Sequence, residues 1–363
     1  MSAAWDNVVA VVLGGANTDL VATGVAGPAK PGEMLGGQGF TVGPGGKSRN
    51  VAHMMGVYLG PGRVSFVGRT LAAPAFAELD RLLDPTSGDA AADILPHVHG
   101  LLAQVPLAAL RRAGVLTDMV TQVRGEGITG GTALIVVLSS GENMIYSIPG
   151  VNADFSAEDV ARAEPLVEAV ARRGGVMPLA LEIPADTALA GARLARRHGL
   201  KVILDAGGMT KAETLNRRCR ATLDDVLAEA DVVKPNEHEA RLLTEIEVTD
   251  GDSAARAAEA LHRRYGTADV VVTAGTQGAW HWSEQGLQFH PAYRPPQVLD
   301  TTGCGDQFMA VLSAHLACGD PWPEAMQRAA VAGALQATRV GIQPVAREEV
   351  DQHLPRYREQ AEA

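Results

Sequence analysis

Apolar positions along the chain fall into two alternating patterns. Residues 8–13 form an unbroken aliphatic run ended by Gly14-Gly15, the form of a strand covered on both faces. Runs of the same kind recur at 64–67, 201–204, 231–233 and 269–273. Stretches rich in Ala, Leu and Arg with helical spacing, at 50–59, 159–173, 185–198, 253–265, 306–318 and 323–339, lie among them. The alternation predicts an α/β fold, with a doubly wound, mainly parallel sheet flanked by helices. Two regions break the rhythm. Residues 18–46 are β-prone and rich in Gly and Pro, and residues 117–148 carry two apolar runs around Ser139-Ser140-Gly141-Glu142, a hairpin signal. Together they predict a small β-sheet lid. Residues 71–112, with two helical patches, read as a helical insertion at the edge of a single domain spanning 1–363.

Charge narrows the range of partners. Thirty-one Lys and Arg against 42 Asp and Glu give a net charge of −11, and the basic clusters are short and scattered, so a nucleic-acid partner is not expected. Three cysteines without CxxC spacing make neither a disulfide framework nor a thiolate zinc site, which points to a reducing compartment. No apolar run reaches membrane-spanning length and the first residues carry no export signal, so the expected location is the cytoplasm.

The sharpest chemistry lies at Asp300-Thr301-Thr302-Gly303-Cys304-Gly305-Asp306, directly before an apolar helical stretch. Glycines there let backbone N–H groups close on an anion, and the helix dipole adds to the field, which suits a phosphoryl group in transfer. A carboxylate at position 306 sits where it can take a proton from an attacking hydroxyl. A tight turn with an Asp cap uses the same residues, and composition does not separate the two readings. A second glycine-rich turn, Gly43-Pro44-Gly45-Gly46-Lys47-Ser48-Arg49-Asn50, also opens a helix. The G-x-x-x-x-G-K-[ST] phosphate loop would need glycine at position 41, where Thr stands. The turn instead suits close approach to a polar ligand, with Lys47 and Asn50 donating to hydroxyls.

Lys234-Pro235-Asn236-Glu237-His238-Glu239 follows the strand at 231–233, at the end where open α/β sheets bind ligands. Asn236 and Glu239 suit Mg²⁺ held through water, and equally an ordinary helix N-terminus. Thr273-Ala274-Gly275-Thr276-Gln277-Gly278 closes another strand with glycines that admit a nucleotide. His97-x-His99 lacks a third metal ligand and reads as loop surface. Cys304 has no evident His partner and reads as small-residue packing rather than a nucleophile.

Taken together, Gly14-Gly15-Ala16-Asn17-Thr18-Asp19, Gly45-Gly46-Lys47-x-x-Asn50, Asn236-x-x-Glu239, Thr273-x-Gly275-x-x-Gly278 and the 300–306 motif resemble the ribokinase-like (PfkB) family of sugar and nucleoside kinases. Gly141-Glu142-Asn143, Leu181-Glu182-Ile183-Pro184 and residues 338–344 bring the likeness nearest the ribokinase branch, and it runs from about residue 8 to 354. The resemblance implies Asp306 as catalytic base, with the amides of Gly303, Cys304 and Gly305 as the anion hole for the γ-phosphoryl of ATP. It implies that Asp19, Gly46, Lys47, Asn50 and Glu142 hold sugar hydroxyls. Asn236 and Glu239 would orient Mg²⁺ and phosphates, while Thr273, Gly275 and Gly278 line the nucleotide. Asp300 and the Thr302 carbonyl, with carbonyls between 337 and 345, resemble the monovalent-cation loop of K⁺-activated members. A homodimer through the lid is a further implication.

The chain departs from the family at several points. The family's turn continues Gly-Gly-Lys-Gly-Ala-Asn, whereas Ser48 and Arg49 stand here. Residues 71–76 replace an acid-bearing, glycine-ended segment, Gln307 and Met309 replace small or polar residues, and Ala310 stands where glycine is frequent. These changes leave the sugar open. The expectation is an ATP-dependent kinase acting on a primary hydroxyl of a pentose-like sugar, D-ribose foremost. Its alternatives are a nucleoside, fructose or 2-keto-3-deoxygluconate kinase, or a silent sugar-binding regulator. Aromatics make up only 4% of the chain, few walls for a nucleobase, which favours a free sugar. A dinucleotide oxidoreductase would need G-x-G-x-x-G after the first strand, which is absent.

Overall fold

The structure is a computed structural model that describes residues 5–75, 94–125, 127–209 and 219–362. Its strands, in chain order, are β1 (Ala10–Leu13), β2 (Asn17–Val25), β3 (Gly39–Gly45), β4 (Val64–Leu71), β5 (Val120–Val123), β6 (Gly131–Leu138), β7 (Asn143–Ile148), β8 (Val176–Ala180), β9 (Lys201–Asp205), β10 (Val232–Lys234), β11 (Asp269–Thr273), β12 (Ala279–Ser283) and β13 (Gly286–His290). The helices are α1 (Lys47–Leu59), α2 (Ile94–Leu102), α3 (Gln104–Arg112), α4 (Ala157–Ala161), α5 (Glu164–Ala171), α6 (Ala185–His198), α7 (Leu223–Leu227), α8 (Glu237–Thr244), α9 (Gly251–Tyr265), α10 (Cys304–Ala317), α11 (Trp322–Gln336) and α12 (Arg347–Glu362).

Among the described residues, nine strands form the main sheet in the order β13-β12-β11-β10-β9-β8-β1-β4-β5. From β5 to β11 all neighbours are parallel, and β12 and β13 add an antiparallel edge. Because parallel strands are covered on both faces, their sequences read as continuous apolar runs. One core packs α6 and α9 against one face; the other packs α1, α10, α11 and α12 against the opposite face. Strand order reverses between β1 and β8, the switch point outside which such sheets bind ligands at their carboxyl ends.

Four further strands form the smaller sheet, β3-β2-β6-β7, which is the lid. β2 pairs antiparallel with β3 and parallel with β6, and β6 closes a hairpin with β7. The lid therefore grows straight from the end of β1. Val120–Val123, inside the expected second lid segment, belongs instead to the main sheet, where it pairs parallel with β4 from Gly68↔Val120 to Leu71↔Val123.

Other differences have local causes. The expected helix at 159–173 is two, α4 and α5, with Pro165 in the first turn of the second. Strand β8 was not anticipated because Pro178 stands inside it, and proline ordinarily argues against a central strand. His97 and His99 lie on α2 rather than on a loop. Residues 76–93 of the expected insertion lie outside the described residues, and α2 and α3 occupy its second half.

Candidate active site

The carboxyl ends of β1, β8, β9, β10 and β11 meet the N-termini of α1, α8 and α10, and charged residues gather there. Gly303 starts α10 with φ 78°, and a Cβ on it would lie 2.5 Å from Ile342 Cδ1, so this cap requires glycine. Asp306 follows in the first turn and is buried. Asn50 Nδ2 donates to Asp306 Oδ2 at 2.7 Å, and Lys47 Nζ lies 3.7 Å from Asp306 Oδ1. Residues 256 positions apart are thus joined at one point. Burial pushes the Asp306 carboxyl above the usual aspartate range, although Lys47 and Asn50 pull it down. A base with raised proton affinity is better matched to taking a proton near neutral pH.

The residues expected to form an anion hole lie at the same helix end. First-turn N–H groups have no partner within a helix. Cys304 N donates back to Thr301 O at 3.3 Å, and Gly305 presents a bare backbone whose nearest neighbour, from an added Cβ, is Lys234 Nζ at 4.0 Å. Burial, with Asp300 and Asp306 nearby, pushes the Cys304 thiol up to about 11, so it stays neutral and packs rather than attacks.

Three buried groups outside the expected site residues join this cluster. Lys234 Nζ and Asp205 Oδ2 form an ion pair of 2.9 Å with both side chains 3% exposed. Asp205 also leads the charges that hold the Lys47 ammonium proton more tightly than usual, followed by Asp306. The signal was present: each residue ends a buried strand, where a charge needs a partner. Glu182, just past β8, is the third. Its Oε2 accepts the backbone N–H of Lys47 at 2.7 Å, satisfying an open donor at the start of α1.

Ser48 and Arg49 prove structural. Ser48 Oγ accepts from Ala180 N at 3.2 Å and sits where a Cβ on Gly14 would stand. Arg49 is completely buried. Its Nε donates to Gly45 O at 3.2 Å, one Nη to Pro44 O at 2.5 Å and to Asn50 Oδ1, and the other meets His53 Nδ1 at 3.1 Å. Since a guanidinium only donates, it fixes Asn50 Oδ1 toward itself and leaves Nδ2 for Asp306. Burial lowers its pKa to about 10, which leaves it charged at neutral pH. Gln307, another departure, accepts Val345 N at 3.0 Å and ties α10 to the 345 segment.

The remaining expected residues divide. Gly46 has φ 95°, and a Cβ there would meet Gly15 O at 2.9 Å. Asp19 lies against Gly45, where an added Cβ would be 1.8 Å from Oδ1, so it stands beside the Lys47–Asn50 turn. Glu142 is exposed in the β6–β7 turn with its carboxylate on Ser140 Oγ at 3.1 Å, outside the Asp306 cluster. Asn236 and Glu239 form a reciprocal capping box: Asn236 Oδ1 accepts Glu239 N at 2.7 Å and Glu239 Oε2 accepts Asn236 N at 2.9 Å. Burial, then Asp205, raises the proton affinity of Glu239. Thr273 N donates to Pro235 O at 3.0 Å, which sets the Thr273–Gly278 turn beside Asn236. Gly275 has φ 49°, and a Cβ on Gly278 would meet His290 O at 2.5 Å.

Asp300 and Thr302 sit behind Gly303, but their oxygens are engaged. Asp300 Oδ1 accepts Thr302 N and Oγ1 at 2.9 and 2.7 Å, Oδ2 accepts Gly341 N at 2.8 Å, and Thr302 O accepts Gln336 Nε2 at 3.2 Å. This donor-filled arrangement does not fit the expected monovalent-cation site.

Comparison with known proteins shows what the chain as a whole resembles. Residues 100–349 match the description "pfkB family carbohydrate kinase". Over 332 residues the chain is 28% identical to the ribokinase of Haemophilus influenzae, covering 92% of this chain and 93% of that one. It is also 28% identical over 216 residues to the deoxyribokinase of Salmonella typhi, covering 59% of this chain and 65% of that one. The structure of Arabidopsis thaliana ribokinase complexed with ribose and ATP aligns with a TM-score of 0.74 at 25% identity, covering 95% of this chain and 98% of that one.

Proposed function

The chain belongs to the pfkB family of carbohydrate kinases and is therefore a phosphotransferase acting on a sugar hydroxyl; from that premise we propose that it transfers the γ-phosphoryl of ATP to a primary hydroxyl of a pentose-like sugar, D-ribose to ribose 5-phosphate. The observation that carries the reading is the buried Asp306 carboxylate held by Asn50 and Lys47 at the glycine-opened N-terminus of α10. Asp306 takes the proton of the hydroxyl, the freed oxygen bonds to the γ-phosphorus, and the bond from that phosphorus to the β-bridging oxygen breaks to release ADP. The Gly305 amide, the α10 dipole and Lys234 meet the charge that gathers on the transferring group. Asp19, Gly46, Lys47 and Asn50 bind and orient the sugar, with Glu142 brought in by the lid. Thr273, Gly275 and Gly278 line the nucleotide.

Mg²⁺ fits this edge, because the capping box uses Oε2 of Glu239 and not Oε1, which is left for a water on the ion, and a divalent charge offsets the burial and the Asp205 carboxylate that oppose ionisation of Glu239. Asn236 and Glu239 would hold it through water, where it neutralises phosphate charge. A homodimer through the lid belongs to the same reading, supported by Phe40, Val42, Leu134 and Tyr146, which share one face and are 67%, 42%, 42% and 59% exposed.

The test is ADP formation with MgATP against ribose, deoxyribose, fructose, 2-keto-3-deoxygluconate and adenosine, with a blank lacking sugar. Ribose-dependent turnover above all others is the expected result. Preference for another acceptor would reassign the substrate, and ATP binding with no turnover on any would leave a silent regulator.

A further inference from the structure

Residues 299–302 and 336–345 fold against each other directly behind the anion hole. Leu299 N and Asp300 N donate to Ala337 O at 2.8 and 3.2 Å, and Gly341 N donates to Asp300 Oδ2. A monovalent cation would draw several oxygens of this loop toward one point, and a hydrogen-bond donor that occupies that point competes with it for their lone pairs, although each carbonyl offers two.

That point holds a donor of the chain's own. Gln336, the last residue of α11, is completely buried. Its Nε2 bridges the two segments of the loop, at 2.6 Å from Gly341 O and 3.2 Å from Thr302 O. The amide has only one workable orientation, since turning it over would set Oε1 against two carbonyl oxygens. Among the described residues Oε1 has no hydrogen-bond partner, so the polar gain from burying this side chain comes through Nε2. The neighbouring carbonyls are taken too: Val340 O accepts Gln343 Nε2 at 2.9 Å, and Gln343 O and Pro344 O accept one Arg339 Nη at 3.1 and 2.7 Å. The bridge also reaches the hole. Ile342, one residue beyond Gly341, packs where a Gly303 Cβ would be, so the loop's position sets the cap of α10.

We infer that the Gln336 amide, with the Arg339 guanidinium beside it, stands in for a monovalent cation, so that this chain holds its anion hole in place without K⁺. The inference rests on the kinase reading above for its catalytic consequence, and on geometry alone for its structural one. Gln336 is a positioning residue that acts through Thr302 and Gly341.

The experiment pairs sugar-dependent ADP formation with the thermal unfolding midpoint, each in KCl, NaCl and tetramethylammonium chloride at equal ionic strength. For the wild-type chain kcat and KM should agree within about twofold across the salts, and the midpoint should not move. Gln336→Glu keeps the shape but aims oxygens at the carbonyls; it should lose about tenfold or more in kcat in tetramethylammonium and recover at least about threefold in K⁺, with a midpoint that K⁺ raises. Gln336→Ala, which opens the space, should acquire the same K⁺ response and serves if the Glu variant does not fold. Activation of the wild type by K⁺ of about tenfold or more would overturn the inference. So would a K⁺-raised wild-type midpoint, or variants that stay indifferent to K⁺. Absence of sugar-dependent turnover in every salt would sink the kinase reading, while the midpoints still decide the role of Gln336.

Discussion

At the carboxyl edge of the main sheet, Asp306, Asn50, Arg49, Asp205 and Lys234 are buried and bonded to one another or to neighbouring backbone. In the lid, Phe40 and Tyr146 face solvent, and Glu142 bonds to Ser140 within its own turn. One region is held by bonds among its own groups; the other presents apolar side chains to solvent. The difference separates two jobs. Groups that move a proton or meet developing charge must already be oriented, because reorganisation during the reaction adds to the barrier. A lid gains its worth on closing, when it excludes water that would otherwise take the phosphoryl group.

Breaking the assembled side should have the largest effect. Asp306→Asn keeps an acceptor for Asn50 but cannot take a proton, so kcat should fall by about 10²- to 10⁴-fold with KM for the sugar little changed, as steady-state kinetics will read. Arg49→Ala removes the donor that fixes Asn50 and leaves a cavity; chemical denaturation should show a loss on the order of 2–4 kcal/mol. Changing the open side should matter less to the fold. Phe40→Asp with Tyr146→Asp should convert dimer to monomer by sedimentation while the midpoint of the monomer stays within a few degrees.

The smallest effect is also the sharpest contrast. Asp306 has a folded-state pKa raised above its unfolded value, so its ionisation opposes folding once pH rises through the folded value. Asp306→Asn should therefore raise the unfolding midpoint relative to wild type, with a gap that opens as pH increases and closes in acid. An inactive variant of greater stability would mark the carboxylate as a functional cost borne by the fold.

Much of this was legible in the chain. The 300–306 motif and the Gly45-Gly46-Lys47 turn each joined an uncommon run of glycines to a charged residue at a helix start, and the structure sets Lys47, Asn50 and Asp306 together. The buried runs of the parallel sheet announced themselves by continuity, apart from β8, where Pro178 hides a central strand. What stayed hidden was pairing across distance. Asp205 and Lys234 each looked like the end of a strand, and only the sheet order makes them partners. Glu182 carried no pattern that would send its carboxylate to the first N–H of α1. Gln336 was one polar residue in an Ala-rich helix, with nothing in its neighbours to show that its amide would fill the loop behind Gly303. Arg49 was visible as a departure, but its burial depends on backbone carbonyls that no residue pattern reveals.

The central claim is that a preassembled, charge-tuned Asp306 is the base, and the pH dependence of kcat/KM for the sugar tests it most directly, measured in the wild type and in Lys47→Met. The account predicts an acid limb above the ordinary aspartate range, and its movement to still higher pH when the Lys47 charge is removed, whatever the accompanying loss in rate. A limb at ordinary carboxylate values that ignores Lys47, or no acid limb at all, would contradict it.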